Sequence, residues 1–388
     1  MTSHNEKLSH IVVGIDASRN RSGGAIEHLI AILAEGSPSP YGIREVHVWA
    51  PQSLLLLVPD QPWLVKHSPK QLQESLLSQI LWQASSLSDQ AKSYGCDILF
   101  STSATTFCSF KPLVVLSQDL LSYEPGIMAK FGFSVQRLRL VVILILQNRA
   151  FRRAEGVIFL THYAGRIIQK SCGLLNRVAF IPHGIGSQFK CSKALNPWPL
   201  HNQRPIKCLY VSNADMYKHQ WVVVEAISIL RDRGYNVTLS LVGGGSGLAQ
   251  QLLDKQLLET DPQREFIQQL DFLPHCDMPS CLLGADLFVF ASSCENLPIT
   301  LLEAMAVGLP IACSDRGPMP EVLMDAGVYF DPEDYLSIAT AIEKIIIDPG
   351  VRRFISDRAR SLSNNFTWGQ CARETWRFLV KTYSEFHD

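Results

Sequence analysis

The chain has 388 residues, 47% of them hydrophobic and 18% charged, which is material for two or three domains with buried cores. Its 35 Lys and Arg against 36 Asp and Glu leave a formal net charge of -1, so composition gives no electrostatic case for nucleic acid as a partner. Ten cysteines occur without a C-x-x-C pair, and Cys276 and Cys281 have the wrong spacing for a zinc knuckle. They read as small buried hydrophobes in a reducing compartment.

The N-terminal MTSHNEKLSH is polar and runs into a strand, with no signal-peptide pattern. The longest apolar run, 140–146, falls far short of the roughly 20 residues a membrane span needs. A soluble, cytoplasmic protein is expected. Short, often β-branched apolar runs at 11–15, 45–49, 98–101, 113–116, 157–160 and 178–181 read as strands. Helical stretches at 25–33, 71–93 and 163–170 alternate with them, the pattern of a parallel sheet wound with helices. Residues 192–204, SKALNPWPLHNQR, break the pattern with two prolines and read as an interdomain linker. A second series follows, with strands at 207–211, 238–242, 265–268, 287–290, 311–313 and 328–330, and helices near 220–233, 247–257, 299–307 and 335–347. The expectation is an α/β chain of two Rossmann-like doubly wound domains, 1–195 and 205–366, facing a central cleft where such folds bind ligands.

The most informative stretch is 287–320, LFVFASSCENLPITLLEAMAVGLPIACSDRGPMP. A strand ends near Phe290 and a polar loop delivers Glu295; Asn296 is positioned to cap a helix with Pro298 in its first turn. Glu303 follows eight positions after Glu295, so that both carboxylates can reach one cleft and accept from sugar hydroxyls. The first-turn N–H groups around Leu297, Pro298 and Ile299 offer an anion site. On spacing alone the pair reads sooner as a helix-terminal acid and an incidental glutamate. Further motifs are Lys218 in a strand-to-helix loop, GGGSG at 243–247, and Ser22-Gly23-Gly24 opening the first helix. Paired glycines there let backbone approach a ligand, although an ordinary turn is the plainer reading. Neither a Walker A sequence nor G-x-G-x-x-G is present, which argues against a P-loop ATPase and against an NAD-dependent oxidoreductase.

Glu295 through Glu303, continued by Ala304-Met305-Ala306-Val307-Gly308-Leu309-Pro310, resembles the E-x7-E signature of glycosyltransferase family 4, with Asn296 where glycine is most common. Pro320-Glu321 is similar to the family's downstream step, and the resemblance runs over nearly the full length. It implies a GT-B fold with the acceptor mainly on the N-terminal domain and the nucleotide-sugar on the C-terminal one. A final helix at 367–388 would cross back to the first domain. It implies a retaining hexosyl transfer to a hydroxyl, with no metal and no resident cofactor, in which the leaving diphosphate helps remove the acceptor proton. Glu295 would hold sugar hydroxyls and Glu303 the ribose. Lys218 with the Gly23 and Gly24 backbone would face the diphosphate, beside Asn213, Asn296, Leu297, Pro298, Ile299 and Gly243. The family's usual arginine ahead of the lysine is absent, with Ser212 and Asn213 in the loop instead. The N-domain His-Asp appears as Gln118 and Asp119, and the asparagine of the family's I-P-N-G run as His183. His183 reads as a structural turn residue.

The implied partners are a nucleotide-sugar donor and a glycan or lipid-linked acceptor, with surface-polysaccharide assembly as a setting. A nucleotide-sugar-binding protein without transfer activity, or an epimerase of the same fold, stays open beside this. The segment 136–153, rich in arginine, reads either as an amphipathic interior helix with solvated arginines or as a basic face resting on an anionic membrane.

Overall fold

The computed structural model describes residues 11–20, 23–190, 197–199 and 204–388. The chain divides into two compact units, one comprising the described residues up to Gly184 together with Thr367–Asp388, the other Ile185–Phe366.

The first unit is built on a seven-stranded parallel sheet in the order β3-β2-β1-β4-β5-β6-β7. Its strands are β1 (Ile11–Asp16), β2 (Ile43–Trp49), β3 (Leu64–His67), β4 (Ile98–Ser101), β5 (Leu113–Leu116), β6 (Gly156–Phe159) and β7 (Val178–Phe180). β1, β4, β5 and β6 are buried along their whole length. Continuous apolar runs such as IVVGI and LVVL fit only a sheet with both faces covered. The longer helices are α1 (Gly24–Ala34), α2 (Leu76–Ser85), α3 (Leu87–Ser93), α4 (Val135–Arg153) and α5 (His162–Cys172).

The second unit carries a six-stranded parallel sheet in the order β10-β9-β8-β11-β12-β13. These are β8 (Ile206–Val211), β9 (Val237–Val242), β10 (Ile267–Leu270), β11 (Leu287–Phe290), β12 (Ile311–Ser314) and β13 (Val328–Phe330). Its helices are α6 (Gln220–Asp232), α7 (Leu248–Thr260), α8 (Met278–Leu283), α9 (Ile299–Val307), α10 (Met319–Leu323), α11 (Tyr335–Ile347) and α12 (Pro349–Ser363). A last helix, α13 (Trp368–His387), belongs to the first unit, where it packs on α1 and buries Trp376 and Leu379.

Three features differ from the sequence expectation. The single helix expected at 71–93 is three pieces: a 3-10 turn at Lys70–Gln73, then α2, which Ser75 caps by accepting from Ser78 N–H, then α3 after a break at Ser86, where the Ser85 hydroxyl turns back onto the Leu81 carbonyl at 2.8 Å and competes with the helical ladder. The edge strand β3, LVKH, is too short and polar to show as a strand in sequence, yet it pairs with β2 over four residues. The division falls at Gly184/Ile185, ahead of 195, because Ile185 N–H bonds to Phe366 O and the buried Phe189 ring lies against His275. Of the expected linker, 192–196 and 200–203 lie outside the described residues. Its described part is anchored: the Trp198 ring sits under the Arg352 guanidinium at 3.9 Å, and Arg204 grips Asp286 with two bonds of 2.6 and 2.8 Å. Among the described residues, no helix is long and apolar enough to cross a membrane.

His183 lies in the irregular segment after β7, with no turn assigned to it, so its structural role rests on packing. Its buried ring stacks on His28 of α1 at 4.8 Å, with Trp368 5.5 Å away. Burial pushes His28 down to about 4 from 6.5, and burial, with His28 beside it, holds His183 well below the usual imidazole range. Both are therefore neutral in the fold, whereas the unfolded chain takes up their protons as pH falls below 6.5. Stability is complete above that point and drains away towards pH 4. For His28 alone the loss between neutral pH and about pH 4.5 is roughly 2 kcal/mol. Urea unfolding of His28→Leu at both pH values should show a pH-dependent loss smaller than wild type by that amount. An unchanged loss would contradict the buried neutral imidazole.

Candidate functional site

In the second unit β8 starts the sheet, β9 and β10 add on one side, and β11 to β13 on the other. The loops leaving the carboxyl ends of β8 and β11 thus diverge at the point where strand order reverses, which is where parallel sheets present ligand sites. The loop at 212–219 delivers Lys218, and that at 291–298 delivers Glu295. Residues 77 apart in sequence meet there, with the Lys218 ammonium donating to Glu295 Oε1. The ammonium also lies 5.1 Å from the centre of the Tyr217 ring and 5.8 Å from that of Phe290.

Backbone and side chains fasten the two loops together. Ser293 N–H donates to the Tyr217 carbonyl at 2.8 Å, and the His219 ring pairs with the Ser293 hydroxyl at 2.9 Å. The fully buried Tyr210 phenol donates to the Lys218 carbonyl at 2.7 Å, and burial keeps that phenol protonated. His219 is the N-cap of α6 and stands at φ 50, a left-handed conformation that costs a residue with a Cβ roughly 1–2 kcal/mol. That strained turn directs Lys218 towards Glu295 while α6 runs off with Val222, Val223 and Ile227 buried.

Gly243 explains its own glycine. At φ 115, a Cβ would lie 2.5 Å from the Ser212 carbonyl oxygen and 3.3 Å from Asn213 N. Gly245 presses equally close on Ala214, and the two form a bridge. The 243–245 run therefore seats the 212–214 loop, with Asn213 exposed beside it. Ser212 is held through its carbonyl and its hydroxyl by Gln220 Nε2, both at 2.9 Å.

Beyond Glu295, the expected cap is not formed. α9 begins at Ile299, Pro298 is itself the N-cap residue, and no side chain caps the first turn. Asn296 lies two positions too early and is buried with Leu297. The first-turn N–H groups are thus left without a side-chain acceptor, with Ile299 and Thr300 half-buried. Glu303, on the next turn, is only 3% exposed and bonds His275 Nε2 at 2.7 Å. The two glutamates consequently hold different partners, Lys218 and His275. His275 follows β10 and was not visible in sequence, since nothing in local spacing connects it to Glu303. Met319 of α10 and Gly317 close the surroundings, the latter beside the Glu295 backbone.

The remaining expected residues lie in the first unit. Gly23 is the N-cap of α1 at φ 61, a backbone state that favours glycine, with open space around it; Gly24 opens the helix, and Ser22 is outside the described residues. Gln118 Nε2 donates to the Thr102 carbonyl at 3.1 Å, and Asp119 Oδ1 accepts from Leu121 N–H at 2.9 Å. Burial raises the Asp119 carboxyl above its usual range, against the pull of nearby Leu121 N–H and Arg139. Among the described residues, no group of three or more His, Cys, Asp or Glu could hold a metal ion.

Residues 195–362 match the family model for glycosyl transferases group 1, less than half of the chain. The chain is 27% identical to the O-antigen chain mannosyltransferase B of Escherichia coli over 232 residues, 60% of this chain and 59% of that protein. It is 28% identical to glycogen synthase of Mycobacterium tuberculosis over 188 residues, 46% of this chain and 44% of that one. The matches thus span only about half of these relatives' own length. In fold, sucrose-phosphate synthase from Thermosynechococcus elongatus gives a TM-score of 0.74 at 16% identity over 97% of this chain and 99% of that chain. HepE of Anabaena in complex with UDP gives 0.69 at 19% identity over 97% and 100%. The two Rossmann-like units are those of the GT-B fold.

The strain at His219 can be measured. His219→Gly and His219→Ala both lose the Ser293 bond, but only glycine tolerates the left-handed turn. The glycine variant should be more stable than the alanine one by about 1 kcal/mol in urea unfolding; the reverse order would show that the turn is not strained.

Proposed function

We propose that this chain is a retaining glycosyltransferase that moves a hexose from a nucleotide-diphosphate sugar to a hydroxyl acceptor, in the assembly of a surface polysaccharide or other glycan. The observation that carries the reading is the Lys218–Glu295 pair at the strand-order reversal, beside an uncapped helix start with the buried Glu303 one turn further on. The match of residues 195–362 to glycosyl transferases group 1 supports it, as do solved complexes of HepE with UDP and with UDP-glucose.

In this reading the donor exchanges partners with the pair. Its diphosphate takes the Lys218 ammonium and the first-turn N–H groups of α9, and sugar hydroxyls donate to Glu295. Ribose hydroxyls donate to Glu303, whose orientation His275 fixes. The acceptor oxygen bonds to the anomeric carbon as the bond from that carbon to the diphosphate oxygen breaks; the acceptor proton passes to the departing phosphate. Lys218 then faces negative charge that grows during the step, so its contribution is greatest in the transition state. In the first unit, Gln118 and Asp119 are proposed on the acceptor side, and Gly23 and Gly24 beside the donor phosphates. The reading calls for no metal, and activity should persist in excess chelator.

Transfer and donor hydrolysis measured across a panel of nucleotide-sugars test the proposal. Lys218→Ala and Glu295→Ala should each lower kcat by about 10²–10³-fold, and Glu303→Gln should weaken nucleotide binding. The cognate donor at 100 times its Kd should stabilise the protein by roughly 2.7 kcal/mol in thermal unfolding. Binding without turnover would favour a non-catalytic nucleotide-sugar binder. Interconversion of the free donor would favour an epimerase. Wild-type turnover in both alanine variants would refute the site.

A further inference from the structure

We propose that the exposed face of α4 docks the first unit onto an anionic lipid bilayer. α4 is apolar on two opposite sides. One side buries Leu140, Gln147, Ala150 and Phe151 in the unit. The other carries Val135, Leu138, Val142 and Ile145, spaced i, i+3, i+7 and i+10, and these stand 86%, 65%, 47% and 60% exposed. Phe133, just ahead of the helix, is fully exposed at 105% under the Arg137 guanidinium. A core-facing helix has no use for a second apolar stripe in water, and a contiguous patch of this kind marks an interaction surface.

Charge selects the partner. Residues 125–154 contain six Lys and Arg and no Asp or Glu, in a chain whose overall charge is -1. Arg149 continues the apolar stripe one turn further, and Arg139 and Arg153 flank it, all three exposed. A second copy meeting this face across a two-fold axis would set arginines against arginines. Nucleic acid would meet the arginines but leave the aliphatic ridge in water. An anionic bilayer satisfies both, with the apolar ridge in the acyl boundary and the guanidinium groups among the headgroups. The helix lies in the interface and does not span it, since its arginines would otherwise cross the hydrocarbon.

The surface adjoins the loop after β5. Tyr123 of that loop bonds Asn148 of α4 at 3.1 Å and packs on Phe151, and Arg139 is close enough to influence the Asp119 carboxyl. Docking would thus hold Gln118 and Asp119 beside the headgroup layer, where an acceptor carried on a lipid anchor presents its hydroxyl. That consequence rests on the glycosyl-transfer reading; the docking itself does not.

Flotation of the full chain with vesicles tests the docking without any sugar donor, so its failure is distinct from failure of transfer. Wild type should float with phosphatidylcholine vesicles holding about 30% phosphatidylglycerol, and not with phosphatidylcholine alone, in about 0.1 M NaCl. Arg149→Gln/Arg153→Gln should weaken binding by roughly thirtyfold, and Leu138→Glu/Ile145→Glu should abolish it. All four positions are exposed, and unchanged thermal unfolding would verify that the variants fold. Absence of wild-type flotation on anionic vesicles, or wild-type binding by both variants, overturns the proposal. So does a concentration-dependent dimer in light scattering that Leu138→Glu/Ile145→Glu dissolves, because the face would then bind a second copy.

Discussion

Parallel pairing of β8 with β11 is the constraint from which the candidate site follows. Two parallel neighbours release their chains at the same end, and because β9 and β11 lie on opposite sides of β8, the two departing loops are not crowded by an intervening strand. Lys218 and Glu295 therefore meet without a disulfide, a metal or a long reach. Once the loops are adjacent, the Ser293–Tyr217 backbone bond and the His219–Ser293 bond fix their relative position to within a hydrogen bond's tolerance. The ion pair is an effect of that arrangement and not its cause.

The energetics of the pair would let a ligand part it. Two charged groups largely removed from water are not strongly stabilising, because desolvation offsets most of their attraction. Lys218 and Glu295 side chains are only 14% and 15% exposed. A ligand that offers an anion to one and a hydroxyl donor to the other restores both interactions and releases the mutual one. The aromatic faces of Tyr217 and Phe290 beside the ammonium limit the cost of the exchange by keeping the cation in favourable contact throughout.

Periodic features were legible in the sequence, and features that depend on a distant partner were not. β4, β5, β11 and β13 have the bounds expected from their apolar runs, as do α9 and α11. β4, β5 and β11, buried along their whole length, leave an unmistakable hydrophobic signal. The helix break at Ser86 was hidden because helical periodicity continues on both sides of it, and β3 because an edge strand needs little apolar character. Within the site, Glu295, Glu303 and Lys218 were marked by motif. His219, Ser293 and His275 were not, because each matters through a partner 28 to 74 residues away. The mistaken cap at Asn296 arose from reading a residue preference without the backbone: the chain enters α9 through Pro298, too late for Asn296 to reach the first turn.

The same loop geometry explains how the 212–214 segment does without a cation. Its backbone is pressed against Gly243 and Gly245, and Gln220 holds Ser212 by both the carbonyl and the hydroxyl. A long basic side chain at 212 would forfeit the hydroxyl bond to Gln220. Local packing therefore favours a small polar residue at that position. At the ends of β8 and β11 the Lys218 ammonium is offset by Glu295, and the uncapped first turn of α9 adds its own dipole.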